Sequence, residues 1–249
     1  MSHAIGVVGG MGTYAGIDLL KKIADNTGAE TDQDHFPVIM ISEPENILDR
    51  TEYLLGLVKQ NPGYAIASIA KRLAEMGAEL IGLPCNTAHV PEILDIVLEG
   101  VPEGCRLVNM IEEVEIFLTE NYNEISRVGV LATNGTYGAR VYDHYLQKAG
   151  IEVIYPNKKS QFEKVHPSIY DPDYGIKAQS NPVSERSVSD LTEVAEELIS
   201  KGAGALVLAC TEIPLALTED SISGIPLVDA SDVLAKALVR EYRSILINP

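Results

Sequence analysis

The sequence predicts an α/β protein with two pseudo-symmetric lobes, each with a parallel four-stranded sheet flanked by helices. Short β-branched apolar runs alternate with helical patterns, as in parallel sheets whose strands are buried on both faces. Several sequence blocks also occur twice at a nearly constant offset, which indicates an internal repeat. A length of 249 residues suits two coupled lobes better than one large core.

The repeat begins with the first predicted strand of each copy. IGVVGGMGTYAG (5–16) aligns with VGVLATNGTYGA (128–139) at an offset of 123 residues. AEMGAELIGLPCNTAHV (74–90) aligns with ISKGAGALVLACTEIPL (199–215) at an offset of 125 residues. Because the blocks keep their order and spacing, they predict two copies of one strand-and-helix unit.

The repeat also predicts where the lobes begin and end. LVNM (107–110) aligns with LVDA (227–230), which extends the match to the end of each copy. We therefore expect a first lobe over residues 1–115, joined by a C-terminal helix over 231–249, and a second lobe over 116–230.

The strands are predicted at the β-branched runs. In the first copy these are 4–9, 36–41, 79–83 and 106–109, and in the second they are 127–132, 151–155, 204–209 and 225–228.

Helices are predicted between these strands from apolar residues at helical spacing. The clearest apolar faces are Ala65, Ile66, Ile69, Ala70 and Leu73 in the first copy, and Val188, Leu191, Val194, Ala195 and Leu198 in the second. Ser184 is placed to cap the second of these helices. Residues 156–184 show neither the pattern of a strand nor that of a helix. They are predicted to form an irregular loop that acts as a lid or binding segment.

Charge and composition exclude several classes of function. The chain has 36 acidic and 19 basic residues, a net charge of −17, so its field repels nucleic-acid phosphates. No window of about eighteen apolar residues is free of charge, and no Lys or Arg precedes the first apolar run. We therefore expect a cytoplasmic protein without a membrane span, a secretory signal or a nucleic-acid partner.

Two of the three cysteines, Cys85 and Cys210, occupy equivalent positions in the two copies. Each follows a predicted strand, and the carboxyl ends of strands carry the sites of open α/β sheets. Each also precedes residues that can cap a helix, and a helix N-terminus would lower the pKa of the thiol. Simple core packing is the alternative for one cysteine, but the repeat favours function for the pair. Cys105 has no counterpart and is expected to be inert.

Two opposed thiols match one kind of chemistry. Removing a proton from one face of a carbon and returning one to the other face requires two acid/base groups of similar pKa. Cys85 and His89 alone make no tetrahedral metal site, so no metal is expected. We therefore predict racemisation without a metal or cofactor. His89 and Glu212 are expected to cap or pack beside the thiols, or to tune them.

The motifs around the cysteines resemble those of a known family. GGMGT (9–13), PCNTAH (84–89) and ACTEIPL (209–215), in this order, are similar to those of the aspartate/glutamate racemase family, on its aspartate racemase side. The resemblance covers nearly the whole chain. It implies a pyridoxal-independent, dimeric two-cysteine racemase with its active site between two α/β lobes.

The resemblance also implies roles for individual residues. Cys85 and Cys210 match the two acid/base cysteines, and Asn86 and Thr87 match residues that help to hold the substrate carboxylate. Arginine binds carboxylates through two parallel hydrogen bonds. Arg50 resembles the family's arginine for the side-chain carboxylate, and Lys177 resembles its binding lysine. The other expected substrate contacts are Met11, Gly12, Thr13, Thr133, Thr211 and Glu212.

Arg50 and Lys177 each have an alternative interpretation that involves no substrate. Arg50 lies beside Asp49 and Glu52 and would pair with either at a surface, and a lysine on a loop is commonly solvated. The resemblance leaves the correspondence of Tyr170 and Tyr174 ambiguous, so neither is assigned.

Substrate specificity is less determined than reaction class. GGMGT and CTEI differ from the DSGxGG-like turn and CTHY-like motif of glutamate racemases, which favours aspartate. Thr13, however, stands where relatives commonly have proline. Glutamate or broad amino-acid specificity is therefore the first alternative.

Two other classes of protein remain as alternatives. Gly10-x-Gly12-x-x-Ala15 follows a strand and matches a dinucleotide fingerprint, which would indicate a nicotinamide-dependent enzyme. The second copy keeps Gly135 and loses the other glycines. A non-enzymatic small-ligand binding protein would also have two α/β lobes, but it would not explain twin thiols. Within the same superfamily, single-thiol decarboxylases and maleate isomerases are the nearer alternatives.

Overall fold

The structure is a computed structural model that describes residues 3–247, and these residues divide into two compact units. The first unit contains the described residues up to Glu113 and those from Ser231 onward. The second unit is Val114–Ala230. The sequence analysis placed the first boundary after residue 115, two residues later in the chain.

The first unit is built on a four-stranded parallel sheet in the order β2-β1-β3-β4. Each predicted strand is present, with ends within two residues of the expected positions. All six residues of β1 are buried, as expected for a central strand that is covered on both faces. The strands are β1 (Ala4–Gly9), β2 (Val38–Ser42), β3 (Ala78–Gly82) and β4 (Arg106–Val108).

The clearest predicted helix of the first unit is present and buries its predicted apolar face. In α3 (Gly63–Glu75) the buried side chains Ile66, Ile69, Ala70 and Leu73 lie on one stripe, and they belong to the apolar core of this unit. The other α-helices are α1 (Thr13–Asn26), α2 (Arg50–Leu54), α4 (Pro91–Gly100), the start of α5 (Met110–Asn121) and nearly all of α11 (Ala230–Ile247). Short 3₁₀ helices are Asp32–Asp34, Pro44–Asn46 and Asn86–His89.

The second unit repeats this strand order and adds one strand. Four parallel strands run in the order β6-β5-β7-β9, and a fifth strand, β8, pairs antiparallel with β9 at the edge. The prediction of four strands missed β8 because it has two residues and no apolar run. The strands are β5 (Arg127–Ala132), β6 (Glu152–Ile154), β7 (Ala205–Ala209), β8 (Ser221–Ile222) and β9 (Ile225–Asp229).

Helix α10 (Glu185–Ser200) covers the second sheet with the face that the sequence predicts. Leu191, Val194 and Leu198 are buried, and the hydroxyl of Ser184 accepts a hydrogen bond from the Ser187 N–H as the expected N-cap. The remaining helices are α6 (Asn134–Ala139), α7 (Val141–Leu146), α8 (Lys158–Ser160), a π-helical segment (Gln161–Val165), α9 (His166–Tyr170) and the 3₁₀ helix Ile213–Leu215. Within residues 3–247, no helix has both the length and the apolar content that crossing a membrane would require.

The prediction of an irregular loop over 156–184 was wrong for its first half. Residues 158–170 form one helical stretch, in which α8, the π-helical segment and α9 follow without a break. The side chains that this stretch buries include Gln161 and Ser168, so polar residues occupy positions where a helical pattern would show apolar ones.

Candidate active site

Each thiol follows the third strand of its own sheet, beside the central first strand. Cys85 lies three residues beyond the end of β3, and Cys210 comes directly after β7. In each sheet that strand pairs with the first strand, β1 or β5. The matched strand order therefore puts the two cysteines at equivalent places at the carboxyl ends of their sheets.

Cys85 is buried in the apolar core of the first unit. It is 5% exposed and belongs to the same apolar cluster as Met11, Ile47, Leu83 and Ala88. Its backbone is extended, and it stands at the N-cap position of the 3₁₀ helix Asn86–His89. The next α-helix, α4, has Val90 as its N-cap residue. Cys85 therefore stands at a helix N-terminus, but the helix is a short 3₁₀ segment and the longer helix α4 begins six residues later.

His89 holds the backbone of the Cys85 loop in place. Its Nδ1 lies 2.9 Å from the carbonyl oxygen of Cys85, and its Nε2 accepts a hydrogen bond of 3.2 Å from the Met110 N–H. The imidazole is therefore the neutral tautomer that carries its proton on Nδ1. Complete burial lowers its pKa to about 4, which keeps it neutral over the physiological range.

This burial predicts a pH dependence of stability. A histidine whose pKa is depressed in the folded state stabilises the fold fully above its unfolded value, and this stabilisation is lost as the pH falls towards 4. The free energy of unfolding of the wild type should drop by about 3 kcal/mol more than that of His89→Gln between about pH 7 and pH 4. Denaturant titrations at several pH values measure this difference. The exposed His144→Gln is the control and should follow the wild type, whereas parallel curves for His89→Gln and wild type would contradict the prediction.

Arg50 is a buried cation close to the core that contains Cys85. It begins α2 after the N-cap residue Asp49 and is 6% exposed. Its Nη2 donates to the carbonyl oxygen of Met11 at 3.2 Å, and its Nη1 donates to that of Leu48 at 3.3 Å. Met11 belongs to the apolar cluster that also contains Cys85, so the guanidinium is bound to the backbone of a residue of that core.

The remaining predicted residues of the first unit flank β1 and Cys85. Asn86 and Thr87 are buried in the 3₁₀ helix that follows the cysteine. Gly12 is the N-cap residue of α1, and Thr13 is its exposed first residue. These positions provide backbone N–H groups and hydroxyls at the carboxyl end of the sheet.

Gly10 has a packing explanation that does not involve a nucleotide. Its φ of +94° is in the left-handed region, and a Cβ there would lie 3.0 Å from the backbone nitrogen of Pro44. Glycine is therefore required by the close approach of the chain that follows β2.

Cys210 is part of a hydrogen-bonded cluster in the second unit. Its thiol donates to Glu212 Oε2 at 3.0 Å, and the Thr211 hydroxyl lies 3.3 Å from the same oxygen. Lys177 Nζ lies 2.6 Å from the other carboxylate oxygen, Oε1. The cysteine is 6% exposed and the glutamate 4%.

The expectation of a lowered thiol pKa was wrong for Cys210. Burial raises its pKa well above the usual value, and the Glu212 carboxylate adds to this, while the Lys177 ammonium acts in the opposite direction. The helix that follows, Ile213–Leu215, is a single 3₁₀ turn, so no long helix supplies a dipole at the sulfur. Burial and the neighbouring carboxylate thus both favour the protonated thiol of Cys210.

Lys177 is anchored by more than its ion pair. Its backbone N–H donates to the carbonyl oxygen of Ile169 at 3.1 Å, and its Nζ lies 5.2 Å from the centroid of the Tyr170 ring. Tyr170 in turn stacks on His166 with ring centroids 4.7 Å apart. The structure thus places Tyr170 beside Lys177, whereas the sequence left it unassigned because its correspondence with the family's residues was ambiguous.

Thr133 occupies the end of the neighbouring strand β5. It is buried, caps α6 and accepts a hydrogen bond from the Thr136 N–H at 3.3 Å. Gln161 supports this turn, since its Nε2 donates to the carbonyl oxygen of Ala132 and to Asn134 Oδ1. No sequence signal indicated Gln161, because it lies in the stretch that was predicted to be irregular.

The predicted site residues thus form one group in each unit. In the first unit Arg50 is bonded to Met11, which shares an apolar cluster with Cys85, and in the second unit Lys177 is joined to Cys210 through Glu212. Each group contains a thiol and a cation. Within residues 3–247, no three or more His, Cys, Asp or Glu side chains are arranged to hold a metal ion.

The chain is similar to known proteins over nearly its whole length. The chain is 28% identical over 247 residues to the broad specificity amino-acid racemase RacX of Bacillus subtilis (strain 168), covering 96% of this chain and 97% of the relative. It superposes on the aspartate racemase of Picrophilus torridus with a TM-score of 0.75 at 27% identity, covering 97% and 94% of the two chains. A glutamate racemase from Francisella tularensis subsp. tularensis SCHU S4, at 20% identity, shares the fold with a TM-score of 0.67 over 99% of this chain and 82% of its own.

The fold and these similarities define an isomerase that acts on amino acids. Within that class, the chain belongs to the Asp/Glu/Hydantoin racemase family, whose model matches residues 8–238. The expected reaction class and family are thereby confirmed. The predicted homodimer and the roles of individual residues stay predictions.

Proposed function

We propose that the protein interconverts L- and D-aspartate by two-base proton transfer, with Cys85 and Cys210 as the acid/base residues. The observation that carries this proposal is the buried thiol beyond the third strand of each sheet. A thiol needed for packing has no reason to recur at the equivalent strand of a second sheet.

The two cysteines divide the reaction between them. For one enantiomer, the thiolate of one cysteine removes the α-proton, and the thiol of the other returns a proton to the opposite face of the carbon. For the other enantiomer the roles are exchanged, so each turnover reverses the protonation of the pair. Neither step requires an electron acceptor or a covalent intermediate, so no cofactor enters the proposal.

The two cations favour a dicarboxylate substrate. We assign the side-chain carboxylate to Arg50 and the second anionic contact to Lys177, since a dianion entering a protein of net charge −17 needs local positive charge. Asn86, Thr87 and Thr133 are assigned as hydrogen-bond donors to the substrate. Met11, Gly12, Thr13, Thr211 and Glu212 are assigned as further substrate contacts. The similarity to the aspartate racemase of Picrophilus torridus supports aspartate.

A broad-specificity racemase is the second candidate. It is favoured by the similarity to RacX, whose name states broad specificity and which matches this chain over nearly its whole length. Thr13 is a small, exposed residue at the start of α1, and it is compatible with side chains of several sizes.

A direct assay separates the two candidates. Purified protein, dialysed against a chelator and free of pyridoxal phosphate and nucleotide, should racemise L- and D-aspartate with unchanged rate after dialysis. Neutral amino acids should react at least about 100-fold less efficiently, because a buried arginine without its carboxylate partner costs about 2–5 kcal/mol. Chiral chromatography of each reaction measures this. Comparable kcat/KM values for aspartate and alanine would favour broad specificity, and activity that depended on an added cofactor would contradict the two-thiol proposal.

A further inference from the structure

Gln161 is a fully buried polar side chain that binds the turn after β5. Its Nε2 donates to the carbonyl oxygen of Ala132 at 2.9 Å and to Asn134 Oδ1 at 3.0 Å. Ala132 is the last residue of β5 and pairs in register with Ala209, the residue before Cys210. The turn that Gln161 binds therefore begins beside the strand end that carries this thiol.

These contacts determine which end of the Asn134 amide faces Gln161. A carbonyl oxygen only accepts hydrogen bonds, so the Gln161 atom beside the Ala132 oxygen must be the NH2 group. The same NH2 group requires an oxygen from Asn134, so the Asn134 NH2 group is the end that does not face Gln161. Within the part of the chain that the structure describes, Asn134 Nδ2 has no hydrogen-bond acceptor, although the residue is only 8% exposed. It is therefore a donor that can bind an oxygen of a ligand.

Packing alone does not explain a glutamine at position 161. The Oε1 atom of Gln161 is buried, and no donor among residues 3–247 reaches it. A buried acceptor without a donor is unfavourable, and an apolar side chain of similar volume would avoid this penalty. An apolar side chain would, however, lack the two N–H donors of Nε2. The glutamine is therefore explained by its donation to the turn after β5.

The helical stretch 158–170, which carries Gln161, is attached to α10 at its start. Asn157 is its N-cap residue, and the Asn157 Nδ2 donates to Glu197 Oε1 of α10 at 2.9 Å. Further along the same stretch, His166 Nδ1 accepts a hydrogen bond of 3.3 Å from the backbone N–H next to the bound amide. One anchored segment thus holds both the backbone and the side chain of the turn.

We propose that Gln161 is a positioning residue for substrate binding, which orients the Asn134 amide so that its NH2 group donates to a carboxylate of the substrate. The inference rests on the proposed function and deepens it at the same site, since it adds to Thr133 a second donor from the turn after β5. Gln161 acts through Asn134 and not by contact with the substrate. Its loss should therefore weaken binding and leave the proton-transfer step unchanged.

A split between KM and kcat tests this role. Gln161→Met keeps the approximate volume of the side chain and removes both donors. KM for aspartate should rise at least about 10-fold while kcat changes less than about 3-fold, because binding that is lost equally in the ground state and the transition state raises KM alone. Gln161→Glu, which also lacks the NH2 group, should show the same split. The exposed Gln147→Met in the same unit is the matched control and should behave as wild type.

A double-mutant cycle separates this role from a merely structural one. Asn134→Ala removes the donor itself and should raise KM at least as much as Gln161→Met does. Without Asn134 there is no amide to orient, so Gln161→Met/Asn134→Ala should have the KM of Asn134→Ala within about 2-fold. Effects that multiply in the double variant, or a fall in kcat without a rise in KM, would overturn the proposal. If Gln161→Met does not fold, as judged by circular dichroism, the same cycle with Gln161→Glu decides the question.

Amide hydrogen exchange supplies a readout that needs no racemase activity. Gln161→Met should speed exchange in the peptide that contains residues 132–137 by at least about 10-fold, because the turn opens more readily without its contacts. Gln147→Met should leave this exchange unchanged. Faster exchange in a protein that does not racemise aspartate would refute the proposed function and leave the link between Gln161 and Asn134 standing. Unchanged exchange in Gln161→Met would overturn the inference even in an active racemase.

Discussion

Alanine in place of either Cys85 or Cys210 should abolish racemisation, with kcat/KM lower by roughly 1000-fold or more. Each thiol is assigned to one face of the α-carbon, and a complete turnover needs a proton removed from one face and delivered to the other. The remaining thiol has no partner for the second half of the reaction. Both variants should lose activity to a similar degree.

The loss should be the same in both directions for a thermodynamic reason. L- and D-aspartate have equal free energies in water, so the equilibrium constant is one and kcat/KM must be equal for the two enantiomers. A variant therefore cannot keep one direction of racemisation and lose the other. Chiral chromatography started from each pure enantiomer checks this equality.

Cys105→Ala is the matched control for both thiol variants. Cys105 lies directly before β4, is partly buried against the core of the first unit and has no counterpart in the second. Its replacement should leave kcat/KM near the wild-type value. Near wild-type racemisation in Cys85→Ala or in Cys210→Ala would show that one thiol suffices, and would favour a single-base isomerase or decarboxylase.

The internal repeat explains why the sheets could be predicted so closely. Parallel strands that are buried on both faces appear as continuous apolar runs, and the alignment of the two copies located β3 and β7 together with their cysteines. Strand β8 was not predicted, because its two residues, Ser221 and Ile222, are too few to show an apolar run. Its pairing depends on the neighbouring β9, which supplies the register.

The helical stretch over 158–170 could not be predicted from spacing alone. Its middle is a π-helical segment, which changes the residue spacing away from 3.6 per turn. In addition, two of its buried positions carry the polar side chains of Gln161, whose Nε2 donates to the carbonyl oxygen of Ala132 and to Asn134 Oδ1, and of Ser168. Hydrophobic periodicity detects neither feature. The segment was therefore predicted to be an irregular loop.

The electrostatics of the thiols required three-dimensional contacts. The sequence shows that Glu212 follows Cys210 by two residues, but this spacing does not reveal that the carboxylate accepts the S–H bond. Nor does it reveal that Lys177, 35 residues away, is the cation of this carboxylate. The direction of the Cys210 pKa therefore depended on contacts that no local pattern encodes.

Arg50→Ala should lower kcat/KM for aspartate by roughly 100-fold. This is the largest loss of activity that we expect after the loss of either thiol. The guanidinium is 6% exposed, and removing one partner of a buried charge-assisted pair costs about 2–5 kcal/mol. The effect should appear mainly with dicarboxylates, since a neutral amino acid has no side-chain carboxylate to lose. Arg50→Lys should fall between wild type and alanine, because lysine keeps the charge but not the two parallel hydrogen bonds.

The structural contacts of Arg50 determine how this loss must be controlled. Its hydrogen bonds to the carbonyl oxygens of Met11 and Leu48 also support the turn after β1, so thermal unfolding of each variant must be measured beside its kinetics. The half-exposed Arg72, which pairs with Glu43, is the matched control, and Arg72→Ala should keep wild-type turnover. A folded Arg50→Ala protein with wild-type kinetics for aspartate would remove Arg50 from the substrate site. Equal losses with aspartate and with alanine would instead reduce its role to holding the turn that carries Met11.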